Sequence, residues 1–231
     1  MHKQGQKKDC VNCGQLSKHF KFLSDKELEL VNDTRFEATF NKKEIIFKQG
    51  APISHVIFLS QGYVKIYIEG STNQDLILSI TKGVSYITGP GLYCQGIYSY
   101  SAKALVDLEA CYVDVEVFKH LVRENADFAN SFIEEFCIRS VNTLVSFLNS
   151  TQRKMPGRLA GGLIYLSESV FKSQSFNPLL SRKEIGELTG MSKESVIRSL
   201  RDFQDENLIY LNDNIIEIKN IEQLKKICQY G

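Results

Sequence analysis

The sequence has no apolar run approaching the ~18 residues that a membrane-spanning helix needs, so no membrane span is expected. Its first residues, Met1 to Asp9, are polar and lysine-rich with no apolar segment behind them, which argues against a secretory signal and for a cytoplasmic protein. Charge of one sign is also lacking. The net charge is +1, so affinity for nucleic acid cannot be inferred from composition and must come from motif and arrangement. No Gly-rich phosphate loop, Ser-His-Asp set or H-E-x-x-H motif occurs, and His2, His19, His55 and His120 are scattered, so no enzyme class is indicated. Six cysteines, in a chain of 231 residues without an export signal, do not indicate a disulfide framework. Metal binding, redox sensing or core packing suit them better, and Cys94, Cys137 and Cys228 read as packing residues.

What is present falls into three patterns. Ser24 and Glu27 form a capping box that opens a first helix. From about Phe36 to Val117 the chain breaks into short strands ending at glycines. Val64, Ile66 and Ile68 alternate with Tyr63, Lys65 and Tyr67, as in a small β-roll. From Phe118 to about Thr151 the period turns helical. Phe128 to Asn149 contains neither glycine nor proline, and its apolar residues (Phe132, Ile138, Val141, Val145, Leu148) exceed what one packed face requires. Two readings stand there: a partner helix from a second copy, or packing on the chain's own β-roll.

Near the C-terminus, Ser181 and Glu184 form a second capping box ahead of a helix over 182–189, with Ile185 and Leu188 inward. Gly190 suits the positive φ that ends a helix. Ser192 then caps a helix from Lys193 to about Glu206, with Val196, Leu200 and Phe203 inward. Two short helices around a glycine turn make a helix-turn-helix. The outward residues Lys193, Glu194, Arg198 and Arg201 suit a major groove, where arginine donates to guanine and a carboxylate accepts from cytosine. Segments 208–211 and 215–218, around Asn212-Asp213-Asn214, form a hairpin in the position of a wing. Five basic and six acidic side chains between Arg182 and Glu206 leave no electrostatic footprint. A Glu and an Arg four apart are also often only a solvated pair.

The order β-roll, long helix, winged helix resembles the CRP/FNR family of bacterial regulators over nearly the whole chain. The residues that carry the resemblance are Asn41–Gly50, Ile57–Ile66 and Ser181–Leu208. It implies an α+β fold with an N-terminal cyclic-nucleotide-binding-type β-roll, a long dimerisation helix and a C-terminal winged helix-turn-helix. The expected parts are a Cys-containing segment at 1–22, a sensor domain at 23–118, the long helix at 119–153 and a DNA-binding domain at 154–231. The resemblance further implies a homodimer on a symmetric double-stranded operator, with RNA polymerase as a partner. Its recognition segment corresponds to Lys193–Arg198, in which Glu and Arg contact bases. Ile197 stands where the best-known members have serine or glycine, and can touch a thymine methyl. The DNA-contact set is therefore Ser181, Ser192, Lys193, Glu194, Ser195, Ile197, Arg198 and Arg201.

Family members that bind cyclic AMP use an acidic residue and an Arg-Ser pair, whereas Gly83 to Lys103 contains no Arg, Asp or Glu. A redox, gas or small-molecule signal is expected instead. The oxygen-sensing branch holds an iron–sulfur cluster on N-terminal cysteines plus one in the β-roll. Cys10, Cys13 and Cys111 resemble part of that set, and His19 falls where a further cysteine would. Cys10, Cys13, His19 and Cys111 are thus a candidate site for an iron–sulfur cluster or zinc. Set against all this is a metabolite-binding sensor module without DNA activity.

Overall fold

The computed structural model describes residues 17–70 and 74–230. Its described residues group into two compact units, one from residues 17–69 and 80–140, the other from residues 70, 74–79 and 141–230.

The β-roll of the first unit starts from the capping box foreseen at Ser24. Ser24 Oγ accepts from the Glu27 amide, the Glu27 carboxylate takes the Ser24 amide, and α1 runs Asp25–Thr34. Strands follow as β1 (Phe36–Phe40), β2 (Ile45–Phe47), β3 (His55–Gln61), β4 (Tyr63–Ile68), β5 (Leu76–Lys82) and β6 (Ser85–Tyr86). After the short helix α2 (Gly91–Cys94) come β7 (Ser101–Ala104) and β8 (Leu108–Asp114). They form two four-stranded sheets, ordered β1-β8-β3-β6 and β2-β7-β4-β5. Val56, Ile57, Phe58 and Leu59 are all buried, so β3 is covered on both faces. So is β4. Lys65 and Tyr67, on the face opposite Val64 and Ile66, are buried as those two are, the Lys65 ammonium lying 5.1 Å from the Tyr67 ring centre. A lysine stem covering an aromatic ring keeps that face closed without an apolar residue.

The helical stretch expected as continuous from 119 is interrupted. Asp114 caps α3 (Val115–Glu124) through the amides of Glu116 and Val117. Asn125 then turns extended, and its side-chain oxygen accepts the Phe128 amide to start α4 (Ala126–Gln152). Asparagine satisfies a free helix-end donor, which is why the chain can restart there at little cost.

The two halves of α4 have different surroundings. In the first, Phe128 is fully buried and packs with Phe20, Phe118 and Phe132 at ring-centre distances of 5.0–6.0 Å. Phe132 also meets Phe58 and Tyr86. This half does pack on its own β-roll. In the second half every residue from Val141 to Leu148 is exposed in the single chain, including Leu144 and Phe147 at 67% each.

In the second unit, α5 (Met155–Ile164) continues into a wider turn over Tyr165–Phe171 that ends at Lys172 in the left-handed region. Strand β9 (Ser175–Phe176) leads to α6 (Arg182–Thr189) and α7 (Lys193–Asp205). The hairpin β10 (Ile209–Asn212) and β11 (Ile215–Ile218) follows, then α8 (Ile221–Tyr230). The wing sheet has the order β10-β11-β9; the two-residue β9 is too short to leave a period in the sequence.

Candidate nucleic-acid interface

The helix-turn-helix is built as its residue types dictate. Ser181 and Glu184 make the reciprocal capping box of α6. Gly190 ends that helix with φ +65, a conformation costly for any residue with a Cβ. The Met191 amide returns to the Gly186 carbonyl, and a Cβ on Gly186 would lie 2.5 Å from the Met191 oxygen, so the turn closes only over glycine. Ser192 Oγ accepts the Ser195 amide and opens α7. Ile185, Val196, Leu200 and Phe203 are buried, as foreseen, while Leu188 is only half-buried.

The opposite face of α7 is open. Lys193, Glu194, Arg198 and Arg201 are exposed and Ile197 is half-buried. Glu194, Ile197, Arg198 and Arg201, with Asp202 and Asp205, line one shallow groove. Among the described residues no ion pair joins Arg198 to Glu194, so the guanidinium is not held by a surface pair and is available to an incoming acceptor. Ser181 and Ser192 are exposed at the two helix starts, where backbone N–H groups suit phosphate oxygens. Ser195 is the exception in the contact set. It is buried and its Oγ receives the Ser192 hydroxyl, so it braces the start of α7. The turn of the wing carries Asp213 at φ +48, which Asp tolerates better than most residues.

On the sensor side, the stretch Gly83–Lys103 presents phenols in place of charges. Tyr86 Oη donates to the Gly89 carbonyl at 2.8 Å and Tyr100 Oη to the Ile87 carbonyl at 3.2 Å. Tyr98 stacks on Phe47 with ring centres 4.0 Å apart. Burial pushes the Tyr98 and Tyr100 phenols up to about 12 each, and raises Tyr86 further with help from the neighbouring Tyr100. These groups stay neutral hydrogen-bond donors at any physiological pH.

Of the four candidate metal ligands, Cys10 and Cys13 lie outside the described residues. Cys111, on β8, accepts an N–H from the buried Arg35 guanidinium at 3.2 Å. His19 is fully buried, stacked on Phe132 at 3.9 Å. Its Nδ1 lies 2.8 Å from Ser131 Oγ and its Nε2 lies 2.8 Å from the Glu135 carboxylate. Both ring nitrogens are therefore committed to α4, and neither is left for a metal in this arrangement. Among the described residues no group of three or more His, Cys, Asp or Glu side chains is gathered as a metal site.

Sequence reasoning missed what His19 joins. Glu135 also takes Lys18 at 3.1 Å and Arg139 at 2.5 Å, and Arg139 donates onward to the Tyr86 carbonyl at 2.6 Å. The spacing of Glu135 and Arg139 hints at an i, i+4 pair; nothing local points to His19 or Tyr86. Burial alone would raise the Glu135 carboxyl, but the His19 hydrogen bond and the charges of Arg139 and His19 prevail and hold it at about 2. A carboxyl depressed in the folded state stabilises the fold above its unfolded value of about 4.5, and the contribution disappears as pH falls through about 2. Glu135→Gln is accordingly expected to be less stable than the parent at pH 6–7, with the gap closing on acidification. Urea unfolding at a series of pH values measures it, and a gap independent of pH would contradict this account.

Two family models match the chain: the Crp-like helix-turn-helix domain over residues 157–227 and the cyclic nucleotide-binding domain over residues 37–125. A curated relative, the cAMP-activated global transcriptional regulator CRP of Salmonella typhimurium, is 24% identical over 183 residues, covering 78% of this chain and 87% of its own. Among solved structures, FixK2 from Bradyrhizobium japonicum superposes with a TM-score of 0.76 at 17% identity, over 84% of this chain and 97% of its own. A putative transcriptional regulator of the crp/fnr family from Eubacterium rectale gives 0.75 at 17% identity, over 92% and 98%.

Proposed function

This chain belongs to the CRP/FNR family of DNA-binding transcription regulators, and we propose that it acts as a homodimer on a two-fold symmetric operator in response to a signal other than cyclic AMP. The observation that carries the DNA half is the exposed face of α7, on which Glu194, Ile197, Arg198 and Arg201 share one groove. Glu194 and Arg198 read base edges, Ile197 meets a thymine methyl, and Lys193, Arg201, Ser181 and Ser192 hold phosphates. The dimer reading rests on the exposed apolar second half of α4, which a second copy of the same helix would cover. Two copies of α7 would then enter successive major grooves about 34 Å apart. A cytoplasmic location, with RNA polymerase as the partner on the promoter, completes the reading. Among the described residues no helix is long and apolar enough to cross a membrane.

Selection of bound duplexes from a random pool tests the proposal. A two-fold symmetric consensus is expected, and a pool with no enriched sequence would refute it. Against that consensus, Arg198→Ala is expected to lose about 1–3 kcal/mol, concentrated at one base pair of each half-site. The fold should be unchanged, because the side chain is exposed. Competition with single-base operator variants checks this; a loss spread evenly over all positions would assign Arg198 to a phosphate instead.

The signal reading rests on the phenol-lined, arginine-free stretch Gly83–Lys103, which offers a cyclic phosphate no guanidinium partner. Cys10, Cys13 and Cys111 are the proposed receivers of a redox or gas signal. An iron–sulfur cluster or zinc on the full set would require His19 to give up Ser131 or Glu135. Such a group would supply redox chemistry or a structural tie between thiolates. Anaerobic purification followed by absorbance and metal analysis decides it: a colourless, metal-free reduced protein leaves only the thiols.

A further inference from the structure

The link between α4 and α5 is two residues, Arg153 and Lys154, and its direction is not set by the chain alone. Arg158, in the first turn of α5, reaches back over this link. Its Nε donates to the Arg153 carbonyl at 2.7 Å. Its Nη1 donates to the Gly190 carbonyl at 3.1 Å, and Gly190 is the residue that turns α6 into α7. One rigid, planar guanidinium thus holds two carbonyls, one just past the end of α4 and one at the helix-turn-helix turn. The neighbourhood is close-packed: a Cβ on Gly190 would lie 3.5 Å from Ser150 Cβ and 3.8 Å from Arg158 Nη1. Val141–Gln152, the exposed apolar half of α4, belongs to the same compact unit as α6 and α7. Apolar contacts fill space but are non-directional; the two donors of Arg158 fix an orientation.

We propose that Arg158 is a positioning residue for DNA reading: by tying the carbonyls of Arg153 and Gly190 it fixes the angle between the second half of α4 and the recognition helix, and with it the half-site spacing the dimer accepts. The inference rests on the dimeric DNA-binding reading above. Spacing is a sensitive readout, because each added base pair rotates one half-site by about 35° and moves it by about 3.4 Å.

The test uses full-length protein and a palindromic duplex of about 30 base pairs carrying the selected half-site twice, with the central spacer shortened or lengthened by one and two base pairs. Fluorescence anisotropy gives the affinity for each spacer and for a duplex with a single half-site. The parent should lose about tenfold per base pair away from its optimum, while Arg158→Met should show a profile flattened to within about threefold. Single-half-site affinity should stay within about twofold of the parent, since α7 itself is untouched. Arg158→Lys keeps the charge but not the fork, and should flatten the profile too; it decides the matter if Arg158→Met fails to fold. A parental spacing profile in a folded variant overturns this inference alone. A parent that shows no spacing preference, or binds as a monomer, overturns the dimeric reading and this inference with it.

Discussion

Leu144→Glu is expected to leave the protein folded, monomeric and about 10²–10⁴-fold weaker on a two-half-site operator. Leu144 is 67% exposed in the single chain, so a carboxylate there stays in contact with water and the fold of the single chain tolerates it. In a dimer built along α4 the carboxylate would be removed from water with no cation provided for it, a cost too large for a helix pair to absorb. Loss of the second subunit then removes the avidity that two linked half-sites supply. Sedimentation and operator binding together check this. A variant that stays dimeric shows that the second half of α4 is not the interface, whatever its effect on DNA.

Phe128→Ala should be the most damaging single truncation, at about 3–5 kcal/mol of folding stability. Phe128 has no exposed surface and touches Phe20, Phe118 and Phe132, residues drawn from the segment before α1, from α3 and from α4. Its removal opens a void among aromatic rings that cannot close without moving a helix. Denaturant unfolding measures the loss. A value under about 1 kcal/mol would mean that the first half of α4 is not a fixed part of the sensor core.

How much of this was legible beforehand depended on how local each determinant is. The helix-turn-helix was readable almost residue by residue, because Ser181, Glu184, Gly190 and Ser192 act on amides within three or four positions of themselves. The exposed face of α7 followed from the same period. Ser195 misled because its place in the recognition segment suggested an outward contact, whereas its hydroxyl is turned to Ser192. The break at Asn125 was hidden since α3 and α4 share one helical period, and only a cap separates them. The sequence could pose, but not answer, whether α4 packs on its own β-roll or on a partner. The division falls inside the helix, where aromatic residues stop meeting aromatic residues far away in the chain. His19 shows the same limit. A histidine near cysteines suggests a ligand, while its actual partners, Ser131 and Glu135, lie more than 110 positions away.

The phenols of the sensor stretch carry a practical corollary. The chain has no tryptophan, so its ultraviolet emission comes from ten tyrosines, and two of them, Tyr86 and Tyr100, donate their hydroxyls to carbonyls of the Tyr86–Gly91 turn. A change that freed either phenol from its carbonyl would alter the protein's own fluorescence, so rearrangement of this turn can be followed without a label.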